Sequence, residues 1–426
     1  MKKYLIIVLS IILVISVYLG YMSFRNKIVI LDDVILKDNS DNLLAIYVET
    51  SAESGVYEVY NNSTFPTMGY VFNSTKSGCV DASDIVIPNA LSYSNNKVVV
   101  STKKISHCYI YFDKDNRPAS ESLIALMDDS NNSGKIEKYT GAVTDECGAN
   151  SCTTVNNAQN VYIFKSNDIN NVIFQNFCWK IIRTTETGGV KLLYNGSPSS
   201  GKCTNTGANT MLSKTSFSQE FGYNQPAYVG YMYNPNTLNG TYEQQLRGDS
   251  TYAVNTNDSL LKEKTEYWYS HSSIDGSKLE DAVYCNDRSL TSNSPVTEAN
   301  LGTATSGDLY FANYSGPATL ECSFVTDSFN TTNIKAKTNY KVGFMTTSEA
   351  VLITSAVFSN SNNYWLGSPY EFSSGSASVL TVYYSTPYHY CSANNNTIGV
   401  RPVVSVNDTV QITSGTGSTT DPFIAS

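Results

Sequence analysis

The first two dozen residues constrain the chain most, because they decide where the rest of it folds. Lys2 and Lys3 precede an uncharged run from Leu5 to Met22, LIIVLSIILVISVYLGYM. About eighteen residues rising ~1.5 Å each span ~27 Å, which matches the hydrocarbon layer of a bilayer. We read residues 1–26 as a cytoplasmic tip and an uncleaved transmembrane anchor. A cleaved signal peptide is the alternative, but no small-x-small site follows the run, and Tyr18, Leu19 and Tyr21 fit such a site poorly. Lys2 and Lys3 favour a cytoplasmic N-terminus, with Arg25 and Lys27 pulling the other way. On either reading, everything after about Asn26 lies outside the cytosol.

That compartment is oxidising, so cysteines there read as disulfides. The nine are Cys79, Cys108, Cys147, Cys152, Cys178, Cys203, Cys285, Cys322 and Cys391. None forms a C-x-x-C pair of the kind that binds zinc. Pairing by proximity within domains gives Cys79–Cys108, Cys147–Cys152, Cys178–Cys203 and Cys285–Cys322. Nine is odd, and Cys391 is left over.

Charged residues are only 15% of the chain, whereas Tyr numbers 31 and Ser, Thr and Asn fill much of the rest. Such a composition favours short strands and turns over helices. The net charge of −9 argues against nucleic acid as a partner, since phosphates need a basic surface. It gives no help at anionic lipid headgroups either. The expected fold class is mainly β with an α+β C-terminal domain.

Residues 27–113 read as a small all-β sandwich. Short strands are expected at 44–48, 55–60, 69–72, 85–87, 97–100 and 108–112, with Asn, Ser, Gly and Pro between them. In the last strand Cys108, Ile110 and Phe112 share one face, and Tyr109 and Tyr111 the other. A Cys79–Cys108 bond would then staple two sheets. Residues 114–140 read as a helical linker, starting at Pro118. Asp129 to Gly134 has oxygen side chains at alternate positions, but Thr140 falls where a calcium loop needs Glu. No cofactor or metal is expected, and a structural calcium has no support beyond that run.

Residues 141–410 read as one larger domain, with 411–426 as a tail. Phe177 to Arg183 and Val190 to Tyr194 form a hairpin around Gly188-Gly189, with Phe177 and Trp179 on one side. Asp258 caps a helix to Ser270, with Leu260, Leu261, Lys264 and Trp268 along its stripe. Near the C-terminus, Tyr364-Trp365 meets a tight Gly367-Ser368-Pro369 turn. Val379 to Tyr384 is strand-like, Ser385 to Thr397 is a polar loop, and Ile398 to Val404 closes the segment. The tyrosines here supply large amphipathic contact area, and Ser and Asn supply adaptable hydrogen bonds. Tyr383, Tyr384, Tyr388, His389 and Tyr390, with Tyr370 and Glu371, are therefore candidates for a face that binds a glycan or a protein. The alternative is a solvated loop whose rings cover the core edge.

The motif order WKIIR, VGYMYN, YCNDRS, VGFMTTSEAVL, YWLGSP and IGVRPVVSV resembles a family of Firmicutes-type bacterial extracellular proteins. Their C-terminal domain is C-type-lectin-like, of uncharacterised function, and distantly similar to the formylglycine-generating enzyme fold. The β-unit before it resembles the Ig-like module that accompanies such domains. The resemblance implies that first and last strands pair, setting Phe177–Arg183 and its Trp179 near Ile398–Val406. It also implies that Trp365, Gly367, Ser368 and Pro369 form the family's W-x-x-SP turn, with Gly367 where a bulkier or basic residue is commoner. Gly399, Arg401 and Pro402 match its closing strand. Arg401 reads as a structural guanidinium, and Trp365 and Tyr364 as core.

Enzymes of that fold carry two reactive cysteines ahead of the closing strand, and Cys391 stands alone there. His107, His271 and His389 are scattered, and no H-E-x-x-H, Gly-x-Ser-x-Gly or phosphate loop occurs. The chain reads as no enzyme. The expected function is a membrane-anchored cell-surface binding protein. A pilin-like structural component of the envelope is the alternative, although Met-Lys-Lys-Tyr offers no pilin processing site. A degenerate formylglycine-generating-like enzyme is the second.

Overall fold

The computed structural model describes residues 29–31, 44–61, 66, 68–94, 97–100, 105–218, 229–233, 255–288, 308–309, 318–353, 355–358, 362–373, 376–383 and 386–426. The apolar run expected to be an anchor lies outside them. Among the described residues no helix is long and apolar enough to cross a membrane. The fold is mainly β, 37% strand and 15% helix. The described residues fall into two compact units, one within Met1–Asn116 and Asp128–Asn131, the other within Arg117–Met127 and Asn132–Ser426.

The first unit holds β1 (Val29–Leu31), β2 (Leu44–Glu49), β3 (Tyr57–Val59), β4 (Tyr70–Phe72), β5 (Gly78–Val80), β6 (Val86–Ile87), β7 (Leu91–Ser94), β8 (Lys97–Val100) and β9 (His107–Lys114). One sheet runs β3-β2-β9-β5-β6 with β4 also on β9, and the other runs β1-β8-β7. β2 and β9 pair in parallel, Ile46 against Ile110 and Tyr47 against Tyr111. Period-two alternation therefore aligns across the pair. Leu44, Ile46 and Val48 join Cys108, Ile110 and Phe112 in a core that Val98 shares from the other sheet. Tyr47, Tyr109 and Tyr111 stand on the opposite face as a ring cluster. Cys79 and Cys108 are bonded, but as direct partners on neighbouring strands β5 and β9. The bond clamps one sheet rather than stapling two, because β5 pairs directly with β9 in the same sheet; β5, only three residues long, leaves no strand pattern in the sequence.

The second unit opens with α1 (Ala119–Ile124), whose Ala119 N–H donates to Val410 O at 2.7 Å. It continues through β10 (Ile136–Lys138), β11 (Val143–Cys147), β12 (Cys152–Val155), β13 (Tyr162–Phe164), β14 (Asn171–Phe174), β15 (Phe177–Thr184) and β16 (Val190–Tyr194). The segment 114–140, expected as a linker, thus contributes a helix and a sheet strand to this unit. Next come β17 (Met232–Tyr233), β18 (Asn257–Asp258), α2 (Leu260–His271), β19 (Tyr284–Cys285), β20 (Asp308–Leu309) and β21 (Ser328–Phe329). The C-terminal part holds α3 (Thr347–Leu352), α4 (Ser355–Phe358), β22 (Tyr364–Ser373), β23 (Ser376–Tyr383), β24 (Thr386–Ser392), β25 (Val403–Val406), β26 (Ile412–Ser414) and β27 (Phe423–Ala425).

Among the described residues the main sheet has eight strands. It runs β10-β13-β15-β14-β27-β26, with β16 joining β15 to β25. The hairpin β15–β16 lies beside the closing strand, Val190 opposite Val406 and Leu193 opposite Val403. Residues 411–426, expected as a tail, belong to this sheet: β27 pairs in parallel with β14, Val172 opposite Phe423. The signal missed was the short apolar run Phe423-Ile424-Ala425 after Pro422.

Two smaller readings also change. The cap of α2 is Ser259, which accepts from Lys262 N, and the buried stripe is Leu261, Lys262, Thr265, Glu266 and Tyr269. Lys264 is exposed. Gly367-Ser368-Pro369 is not a turn but the bulged middle of β22, with register shifts on either side of Pro369. A Cβ on Gly367 would overlap the Phe344 ring, which explains the small residue there. The polar loop expected at 385–397 contains β24.

Candidate functional site

A four-stranded sheet, β20-β22-β23-β24, carries the tyrosines that the sequence singles out, and β24 is its edge among the described residues. Leu380 and Val382 of β23 are buried beneath it. The rings of Tyr370 on β22 and Tyr390 on β24 stack at 4.5 Å and 8°. Tyr390 and His389 follow at 5.9 Å and 16°, and His389 and Tyr383 at 4.1 Å and 19°. Four rings from three strands are thus nearly parallel. Each stacked pair covers one π-face of each of its rings, while His389 and Tyr390 are too far apart for face contact. Tyr390 is 47% exposed. Tyr384 lies outside the described residues. Tyr388 and Glu371 lie in β24 and β22, and their side chains are outside the described set.

Cys391 sits beside this face, half-buried, its Sγ 3.8 Å from His389 Nδ1. Burial pushes its thiol up, only partly offset by Thr381, so it is held as a thiol. The other eight cysteines form the four pairs that proximity gave.

The motif residues are structural. Trp179 Nε1 donates to Phe174 O at 3.1 Å, and Trp365 Nε1 to Thr215 O at 2.8 Å. Arg401 is buried; its Nε donates to Tyr194 O at 2.8 Å and its guanidinium lies 4.8 Å from the Tyr364 ring centre. Ser368 Oγ accepts from Thr347 N at 3.0 Å. Gly399 N donates to Asn363 O at 2.9 Å, and Pro402 O accepts from Tyr194 N at 2.9 Å.

No protein-family model, curated protein or solved structure matches this chain. The geometry alone therefore carries the functional argument.

A second site was missed in the sequence. Arg183 on β15 makes a two-pronged bond to Asp145 on β11, at 2.8 and 3.2 Å, and a 3.0 Å bond to Glu349 on α3. Lys191 on β16 reaches the same Glu349 oxygen at 3.1 Å and donates to Val283 O at 2.7 Å. A capping box, Thr346 with Glu349, fixes the acid. All four side chains are at most 3% exposed. Burial would raise both carboxyls, but Arg183 holds Asp145, and Lys191 with Arg183 holds Glu349, below the usual range. The available signal was a hairpin of mostly apolar residues carrying three cations, Lys180 and Arg183 in β15 and Lys191 in β16, of which Arg183 and Lys191 are met by buried acids from elsewhere.

Among the described residues no cluster of three or more His, Cys, Asp or Glu is placed to hold a metal ion.

Proposed function

We propose that the chain is a membrane-anchored cell-surface binding protein of a bacterium, whose second unit is a C-type-lectin-like head and whose first unit is an Ig-like spacer. The head recognises a glycan or protein outside the cell. The observation that supports this is the pair of ring stacks, Tyr370 with Tyr390 and Tyr383 with His389, at β24, the edge strand among the described residues. Edges and hydroxyls of tyrosine suit the mixed polar and apolar surface of a protein or the hydroxyls of a glycan. Four disulfides fit an oxidising compartment. The net charge of −9 does not suit nucleic acid. Alanine at Tyr370, Tyr383 and Tyr390, read by glycan-array and cell-binding assays, tests the reading. Binding that survives all three removes it.

A second reading, an assembly component of the envelope, draws on a different feature. Among the described residues β24 has no strand neighbour on its outer side, and the free Cys391 lies on it. Fractionation of cells with and without shear separates the two, since a filament is released as polymer. Oxidation of the formylglycine-generating kind has little support, because it uses two thiols and the other eight are paired.

A further inference from the structure

In the first unit the sheet β3-β2-β9-β5-β6 turns its core side towards Val98 of the other sheet. On its opposite side Val59, Tyr109, His107 and Val86 are exposed. Register and pleat set the residues of that side in rows across the strands. One row is Val59, Tyr47 and Tyr111; the next is Ala45, Tyr109 and Gly78. Tyr47 and Tyr111 stack at 4.9 Å and 15°, Tyr57 meets Tyr111 edge-on at 5.1 Å, and Tyr109 lies 6.4 Å from Tyr47.

The rings stop at Tyr109, because its neighbour across β5 is Gly78. Nothing in the fold asks for glycine there. Its backbone lies outside the left-handed region, and no heavy atom stands within 4 Å of where a Cβ would be. Glycine inside a strand weakens it, whereas a β-branched residue would strengthen it. A glycine that neither backbone nor packing explains marks a place where something else comes close to the strand. The missing side chain leaves a groove beside the exposed Tyr109 ring, floored by backbone, with Val80 and His107 at one end.

The charges around this face are already engaged. Glu49 accepts from Gly55 N at 2.7 Å and from Lys114 N at 3.0 Å. Asp113 accepts from Tyr57 and, at 2.8 and 3.0 Å, from Asn73 Nδ2. Lys76 donates to Tyr57 Oη at 2.9 Å. The hydroxyls of Tyr47, Tyr109 and Tyr111 have no hydrogen-bond partner among the described residues.

An ionic ligand therefore finds no free counter-charge here. A lipid chain would cover the three hydroxyls without pairing them. A folded partner needs about 800 Å² on each side, and the groove is one residue wide. A pyranose ring is flat and neutral, apolar on its C–H face and rimmed with hydroxyls. Its C–H face can pack on the Tyr109 ring, and its hydroxyls can pair with those of the tyrosines. We propose that the groove between Tyr109 and Gly78 binds a neutral polysaccharide chain, which makes the first unit a recognition unit in its own right.

The proposal shares no residue with the tyrosine face of the second unit. The test uses the full chain in a detergent without a sugar headgroup. Dextran, mannan and galactan are titrated by calorimetry, with polygalacturonate as the anionic control. At least one neutral polysaccharide should saturate the protein. Gly78→Val, which fills the groove, and Tyr109→Ala, which removes its wall, should each weaken that binding by about tenfold or more. Gly78→Val should melt no lower than the parent, since it meets no neighbour and suits a strand. Tyr383→Ala and Tyr390→Ala should leave this binding intact. Failure of all three neutral probes overturns the proposal, as does tighter binding of polygalacturonate. Binding that survives both Gly78→Val and Tyr109→Ala overturns it as well, and if Tyr383→Ala or Tyr390→Ala removes that binding it belongs to the second unit. A lower melting temperature for Gly78→Val would give the glycine a structural reason and also overturn it. So would a dimer of the parent that Gly78→Val abolishes, which would assign the face to a second copy of the chain.

Discussion

Arg183 Nε and Glu349 Oε1 lie 3.0 Å apart, although 166 positions separate the residues in the sequence. The contact joins a strand of the main sheet to a short helix, and Lys191 shares the same oxygen. One carboxylate thus serves two buried cations. Breaking such a group is costly because the remaining charges cannot reach water.

Glu349→Gln should destabilise the protein by about 3–5 kcal/mol. It leaves Lys191 without a charged partner and Arg183 with Asp145 alone. Thr346→Ala, which removes the cap hydroxyl together with a methyl but no charge, should cost about 1 kcal/mol. Urea midpoints of the two variants check the order. Equal midpoints would show that the ion network adds nothing beyond the cap.

Acid should act through the same group. Asp145 and Glu349 both titrate below their ordinary range in the folded state. Their contribution is therefore complete above the unfolded carboxylate range of about 4, and is lost as pH falls through the depressed folded values. Urea unfolding from pH 6 down to pH 2.5 should show a steep loss in the parent and a shallower one in Glu349→Gln. Parallel curves would contradict the assignment.

These contacts also show where a sequence stops being readable. The β15–β16 hairpin and the four disulfide pairs were legible, because alternation, a Gly-Gly turn and local cysteine spacing are short-range signals; the closeness of the hairpin to β25 was implied only by the family resemblance, since no local signal carries it. Ser259 as cap was missed by one residue because Asp258 is an equally good capping type. β27 was taken for tail because three apolar residues fall below any periodicity threshold. Tyr370 and Tyr390 were both named as site candidates, but their stacking depends on β23 lying between two strands, which only the fold decides. The Asp145–Arg183–Glu349–Lys191 group was unreadable for the same reason: its members come from β11, β15, β16 and α3.

Gly367→Ala should cost about 1–3 kcal/mol, the usual cost of overpacking a core. The added methyl would overlap the Phe344 ring, and the backbone there is held by Met345 O and by Asn286 Nδ2. Gly134, with open space around its Cα, separates packing from strain: Ala there meets nothing, but must adopt a φ of 74°. Thermal melts of both variants check this. A neutral Gly367→Ala would mean that Phe344 can turn aside.

Removing Cys178–Cys203 by paired serines should cost about 3.5 kcal/mol, since the bond closes a loop with a sequence separation of 25. Cys147–Cys152, with a separation of 5, should cost about 2 kcal/mol. Denaturant unfolding under non-reducing conditions gives both values. A larger loss from the shorter loop would point to native packing, not chain entropy, as the source.

Lys180 should make the protein more stable as the solution becomes alkaline. Its ammonium is buried, and its hydrogen-bond partners are the neutral amide oxygens of Asn167 and Asn171. Burial, helped by the nearby Arg401 charge, lowers it to about 7. An unfolded lysine titrates near 10.4. Below pH 7 both states hold the proton, and the folded state bears the full cost of a buried charge. Between about 7 and 10.4 the folded state has released it while the unfolded state has not. The unfolded state then binds more protons, so stability rises with pH across that window and levels off above it. Lys180→Met keeps the length of the side chain and removes the titration. With Cys391 alkylated beforehand to prevent disulfide exchange, urea midpoints at pH 6, 7.5 and 9 should climb in the parent and climb less in the variant. If both climb equally, the amides hold Lys180 charged and the slope comes from elsewhere.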